Sequence, residues 1–174
     1  MEELDAKYHL LSPGMTVLDL GAAPGSWMKY CGEKVGGRGM VVGIDRSPLS
    51  RQTGKNEAFI LSDVFLIEPA QIRAQYGEFD LVLSDLAPDT TGSKLADNAR
   101  SIALCERACQ FARAVLRPGG KLLVKAFQGG EFEGFVKFLR ESFAGVETTK
   151  PKSSRPGSRE MYVYARNFKK RAKT

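Results

Sequence analysis

The chain has little of the equipment that many enzymes use: one histidine, one tryptophan and three cysteines in 174 residues. Cys31, Cys105 and Cys109 lack the paired spacing of a zinc site, and three thiols cannot all pair within one chain. Reduced, packed thiols and no metal are therefore expected, in a reducing compartment, most simply the cytoplasm. No apolar run is long enough to cross a bilayer, so no membrane partner is expected. The acidic start from Met1 to Asp5 does not have the basic-then-apolar order of a secretory signal. No repeat and no low-complexity linker divides the sequence, and a single domain over 1–174 is expected. His9 lies outside every motif and reads as a partly exposed helical side chain rather than a base.

The hydrophobic fraction is 43%, enough for one core, and the net charge is +6. A cationic excess suits a polyanion, because Lys and Arg that neutralise phosphates release counterions. The excess gathers between Lys150 and Lys173, where Glu160 is the single acid. Lys150, Lys152, Arg155 and Arg159 are candidates for phosphate contacts. Residues 167–174, with Lys169-Lys170-Arg171, read as a solvated basic tail. The polar Ser153 to Ser158 stretch reads as an exposed loop.

Strand-like runs alternate with helical periodicity. Strands are expected at Thr16 to Leu20, Met40 to Ile44, Ala58 to Leu61, Phe79 to Ser84 and Lys121 to Ala126. Two more, Val146 to Thr149 and Met161 to Ala165, have no helix between them and should be antiparallel there. Helices are expected over Trp27 to Val35, Glu68 to Tyr76 and about Lys94 to Leu116, whose Ile102, Cys105, Cys109, Ala112 and Leu116 share one face. Pro118-Gly119-Gly120 stops that helix, and Phe132, Phe135, Val136, Leu139 and Phe143 mark a further one. The fold class is α/β: a mostly parallel seven-stranded sheet with an antiparallel last strand and helices on both faces.

In such sheets ligands bind beyond the carboxyl ends of the strands. The first strand ends in Asp19-Leu20-Gly21-Ala22-Ala23-Pro24-Gly25-Ser26-Trp27. Small residues let a ligand approach the backbone, and the next helix offers free N–H groups. Gly21, Ala22, Pro24 and Gly25 are the candidate cofactor turn. It is not G-x-G-x-x-G, so it lacks the fingerprint of a pyrophosphate cradle. The same turn would also serve strand-to-helix packing alone. Asp45, ending the second strand about twenty residues beyond Gly25, sits where a carboxylate accepts ribose hydroxyls. Asp63 follows the third strand and could meet an adenine amino group. Together they favour S-adenosylmethionine, which has no pyrophosphate and carries a cationic sulfonium, over NAD. Trp27 either packs under the turn or touches the ligand.

Asp85 closes the fourth strand in Ser84-Asp85-Leu86-Ala87-Pro88, and Lys125 lies near the end of the fifth in Leu122-Leu123-Val124-Lys125-Ala126-Phe127-Gln128-Gly129. Glu160 precedes the last strand. If that strand is antiparallel, Lys125, Asp85 and Glu160 share one rim. A lysine ending an apolar strand, held by carboxylates, can take or share the proton of a ribose hydroxyl. The plain reading is an ion pair at a sheet edge. Phe132, Phe135, Phe138 and Phe143 read as core and boundary residues, not a base-stacking platform.

These residues carry a resemblance along essentially the whole chain. Pro13-Gly14-Met15-Thr16-Val17 leads into Asp-Leu-Gly-Ala-Ala-Pro-Gly; Ser-Asp-Leu-Ala-Pro, Leu-Leu-Val-Lys-Ala-Phe-Gln-Gly and Ser-Ser-Arg-Pro-Gly-Ser-Arg-Glu-Met-Tyr follow in order. The sequence resembles the FtsJ/RrmJ family of RNA 2′-O-ribose methyltransferases. The resemblance implies a Rossmann-like class I methyltransferase fold and cofactor contacts at Gly25, Trp27, Asp45, Asp63 and Asp85. It also implies a catalytic Lys125 supported by Asp85 and Glu160. It further implies an RNA partner, a uridine ribose of 23S rRNA in the large ribosomal subunit; a monomer is expected. The family's catalytic set begins with a lysine upstream of the first strand, and alignment on Pro13-Gly14 places Met1 just after it. Lys7 lies too near the first strand to replace it. An N-terminally shortened form that binds the cofactor and turns over slowly is the expectation. Other readings are a tRNA or mRNA-cap 2′-O-methyltransferase, an inactive cofactor- and RNA-binding module and, more distantly, a dinucleotide oxidoreductase.

Overall fold

The structure is a computed structural model and describes residues 1–152 and 157–169. In chain order the elements are α1 (Glu2–Tyr8), β1 (Thr16–Leu20), α2 (Ser26–Val35), β2 (Met40–Asp45), β3 (Glu57–Leu61) and α3 (Pro69–Tyr76). They continue with β4 (Phe79–Ser84), α4 (Lys94–Val115), β5 (Leu116–Phe127), α5 (Phe132–Ser142), β6 (Phe143–Thr149) and β7 (Glu160–Phe168). The strands form one seven-stranded sheet in the order β3-β2-β1-β4-β5-β7-β6. β1 pairs in parallel with β2 and β4, and β7 runs antiparallel to both β5 and β6.

The two-residue period of the strands sorts their side chains into two cores. Leu18, Leu20, Val42, Ile44, Val82, Leu122 and Val124 pack on one face with Ile102, Cys105, Cys109, Phe135 and Leu139 of α4 and α5. Val17, Val41, Leu81, Leu83 and Leu123 pack on the other with Leu4 of α1 and Met28, Cys31 and Val35 of α2. Burying both faces explains why the strands read as continuous apolar runs. The expected α/β class, the mostly parallel sheet and the antiparallel last strand are all present, and the three cysteines are buried free thiols.

Two local expectations are corrected, and one helix, α1, was not expected. Leu116, expected on the helix face, begins β5, which runs through Pro118. A proline biases the residue before it away from the α region, and the break appears as a register shift opposite Phe79 and Leu81. Phe143, expected to close the α5 face, starts β6 and packs against Phe168 of β7, with ring centroids 5.3 Å apart. The N-terminal helix α1 had no strong periodic signal. His9 caps its C-terminus in the left-handed region at φ 48 and is exposed.

Gly43 of β2 permits the close approach of α2. A Cβ there would collide with Met28 Sδ and lie 2.9 Å from Ala22 Cβ. Gly43→Ala is expected to lower unfolding stability by about 1–3 kcal/mol through overpacking, measurable by urea titration.

Candidate active site

The strand order changes direction at β1, with β2 on one side and β4 on the other. A crevice opens at such a switch point, beyond the carboxyl ends of the strands. Gly21, at the end of β1, holds φ +82, and a Cβ there would lie 3.0 Å from the Leu86 backbone nitrogen. Glycine is therefore required both by the turn and by the approach of the chain leaving β4. Asp45 organises the turn: its Oδ2 accepts from Ala23 N–H at 3.0 Å and its Oδ1 from Ser47 N–H at 2.8 Å. Asp63 accepts from Phe65 N–H at 2.9 Å. A cavity of about 590 Å³ is lined by Gly21, Ala23, Asp45, Asp63, Phe65 and Asp85, among others.

Ala22, Pro24 and Gly25 are not among the residues lining this cavity. Ala22 is buried in the core, and Pro24 is exposed and accepts a hydrogen bond from Ser50 N–H at 3.1 Å. Gly25 caps α2 at φ 110, and its carbonyl accepts from Arg51 Nε–H at 3.0 Å. Trp27 lines a neighbouring cavity of about 710 Å³ with Phe127, Ser158, Arg159, Glu160 and Tyr162. Phe65, on the wall of the first cavity, had no signal in the sequence beyond its nearness to Asp63.

Lys125, Asp85 and Glu160 converge between the two cavities. Antiparallel pairing sets Lys125 opposite Tyr162 and Phe127 opposite Glu160, so these four side chains share a face. Lys125 Nζ lies 3.1 Å from Asp85 Oδ1 and 3.7 Å from Glu160 Oε1. The lysine side chain is only 10% exposed, while its partners stand at 31% and 38%. The amine is thus held from inside and faced by acids that reach solvent.

Tyr162 completes the cluster and was missed by the sequence reading. Its hydroxyl donates to Asp85 Oδ1 at 2.8 Å, and its ring stacks on Trp27 with centroids 6.0 Å apart. Burial and then the Asp85 charge push its phenol well above the ordinary value, so it remains a donor across the working pH range. Its place two residues after Glu160, on the same strand face, was the available signal.

Beneath the turn lies Asp19, fully buried. Neither of its oxygens has a hydrogen-bond donor among the described residues. With Asp45, Asp63 and Asp85 above it, this end of the sheet is acidic and fits a cationic ligand. Among the described residues no cluster of potential metal ligands exists. Of the basic candidates, Lys150 Nζ donates to Ser158 O at 2.5 Å and Arg159 to Lys94 O at 3.4 Å. Arg155 and the tail beyond Lys169 lie outside the described residues.

A family profile described as FtsJ-like methyltransferase matches residues 1–168. The chain belongs to this family. It is 43% identical to a Syntrophobacter fumaroxidans protein described as ribosomal RNA large subunit methyltransferase E, over 98% of this chain and 87% of that protein. A Desulfatibacillum aliphaticivorans protein of the same description is 44% identical over 94% of this chain and 79% of its own length. Among solved structures, one described as a Plasmodium falciparum ribosomal RNA methyltransferase superposes with a TM-score of 0.82 at 29% identity, covering 96% of this chain and 93% of that one. Aeropyrum pernix fibrillarin, solved with natively bound S-adenosylmethionine, shares the fold at a TM-score of 0.61 and 19% identity, covering 90% and 68% of the two chains. As a member of the FtsJ-like family, the chain is an S-adenosylmethionine-dependent RNA 2′-O-methyltransferase, as its resemblance implied.

Proposed function

We propose that this FtsJ-like enzyme methylates a uridine ribose of 23S rRNA on the large ribosomal subunit, acting in the cytoplasm as a monomer with one domain. The relatives' descriptions support the ribosomal target. The observation that carries the assignment of roles is the buried Lys125 amine, held 3.1 Å from Asp85 and facing Glu160 between two cavities. In this reading Asp45 holds the cofactor's ribose hydroxyls and Asp63 and Phe65 receive its base. S-adenosylmethionine, when bound, supplies a methyl carbon on a cationic sulfur. Asp85 and Glu160 fix the amine so that its nitrogen can take or share the proton of the 2′-hydroxyl. Tyr162 holds Asp85 through its second hydrogen bond. Methyl transfer requires oxygen, carbon and sulfur in line, so positioning supplies much of the rate.

Trp27 and Tyr162 wall the neighbouring cavity and are the surfaces offered to the target nucleoside. Lys150, Lys152 and Arg159, on the segments leading to β7, supply phosphate contacts that set orientation without reading sequence. The test offers undermethylated large subunits, free 23S rRNA and tRNA in parallel. Turnover is expected on the subunit. Preferential turnover on tRNA would move the assignment to the tRNA reading.

A further inference from the structure

Asp19 stands apart from the three acids that line the first cavity. It sits mid-sheet on β1, paired with Gly43 of β2 and Leu83 of β4, and is covered by α2. Its exposure is 0%, and neither oxygen meets a donor among the described residues. The charged and titratable groups that act on it come from each neighbouring element: Asp45 at the end of β2, Asp85 just beyond β4 and the Cys31 thiol of α2. Asp45 and Asp85 both oppose its ionisation, and Cys31 is itself held protonated, by burial above all. Lys125 of β5 pairs with Asp85, but among the described residues no cation acts on Asp19 itself. A carboxylate with no donor and two acidic neighbours keeps its proton.

Resting on the cofactor assignment above, we infer that Asp19 is a charge-sensing carboxylate beneath the cofactor turn, which gives up its proton when the sulfonium donor binds and takes one back when the demethylated product replaces it. The proton passes to solvent on binding and returns from solvent after transfer, so charge and atoms balance over the cycle. The donor carries a sulfonium charge that the product lacks. Ionised Asp19 therefore favours the donor by attraction through space, and neutral Asp19 does not hold the product. Asp19 does not line the cavity, so it acts through its charge as a specificity-determining group rather than as a contact.

Burial, reinforced by Asp85 and Asp45, raises the Asp19 pKa from 3.8 to about 8. At pH 7 the free protein is then mostly protonated at this site. A cation lowers that pKa, so donor affinity should rise with pH up to about 8 and flatten above it. With one proton linked, the dissociation constant falls up to tenfold per pH unit.

The experiment is isothermal titration calorimetry of S-adenosylmethionine and S-adenosylhomocysteine at pH 7, in buffers of different ionisation enthalpy. It is run on the wild-type protein and on Asp19→Asn, a near-isosteric neutral side chain. The ligands' own α-amino groups titrate near pH 8 and can take up protons, so the wild-type minus variant difference is the quantity read. That difference is expected to approach one proton released for the sulfonium ligand and to be clearly smaller for the product. A zero difference, or an equal one for both ligands, would overturn the inference. Failure of either ligand to bind would instead sink the cofactor assignment.

Unfolding of the ligand-free protein supplies a second reading that needs no ligand. A carboxyl with a raised folded pKa binds more protons folded than unfolded, so its contribution to stability is lost as pH rises from 4 toward 8. Stability that stays flat or climbs across that interval, after matching against Asp19→Asn where it folds, would also overturn the inference.

Discussion

Replacing Lys125 by alanine is expected to lower the single-turnover rate of methyl transfer by about 10²- to 10⁴-fold, the usual worth of a positioned proton acceptor. The affinity for S-adenosylmethionine should change only a few-fold, because Lys125 does not line the cofactor cavity. The split between the two readings is what matters. If the chief role of Lys125 is instead to hold Asp85 in place, its removal shifts Asp85 and the cavity wall that Asp85 forms. Cofactor binding would then fall together with the rate. Lys125→Arg keeps the charge but not the ability to give up a proton, and should remain slow while restoring the ion pairs. A Lys125→Arg enzyme with wild-type turnover would remove the proton-accepting role.

Replacing Asp45 by alanine is expected to weaken S-adenosylmethionine binding by roughly ten- to a hundredfold, following the 1.5–3 kcal/mol typical of hydrogen bonds to charged groups. Two effects combine. The carboxylate offered to the cofactor's ribose is lost, and so are the acceptors of the Ala23 and Ser47 N–H groups that shape the cavity wall. Saturating cofactor should recover most of the single-turnover rate, since Asp45 lies away from Lys125 and Glu160. Equilibrium binding and rate measured on one preparation check this. An unchanged dissociation constant would mean that the cofactor lies elsewhere along the rim.

The sheet was legible because burial on both faces forces continuous apolar strands, and the alternation of strands with helices leaves few topologies. The convergence of Asp85, Lys125 and Glu160 was legible for a related reason. Parallel strands deliver their carboxyl ends to one rim, and an antiparallel last strand delivers its beginning there too. Less could be read at the turn after β1. Gly21 lines the cavity, but Ala22 and Gly25 pack into the fold, and Trp27 turns toward the second cavity. A run of small residues shows that chains approach closely without showing which of them does so. Tyr162 and Phe65 were missed because aromatic residues at strand and loop ends look like ordinary boundary packing until their neighbours are known. Asp19 stood inside the quoted motif, yet only the three-dimensional surroundings reveal that it meets no donor among the described residues.

Every residue role assigned above depends on this chain delivering a methyl group to a ribose oxygen. Undermethylated large subunits incubated with methyl-tritiated S-adenosylmethionine, then digested to nucleosides and resolved chromatographically, test it most directly. The label is expected to co-elute with 2′-O-methyluridine and to be absent with Lys125→Ala. Label on a base-methylated nucleoside would show that the methyl group goes to a base and not to the ribose.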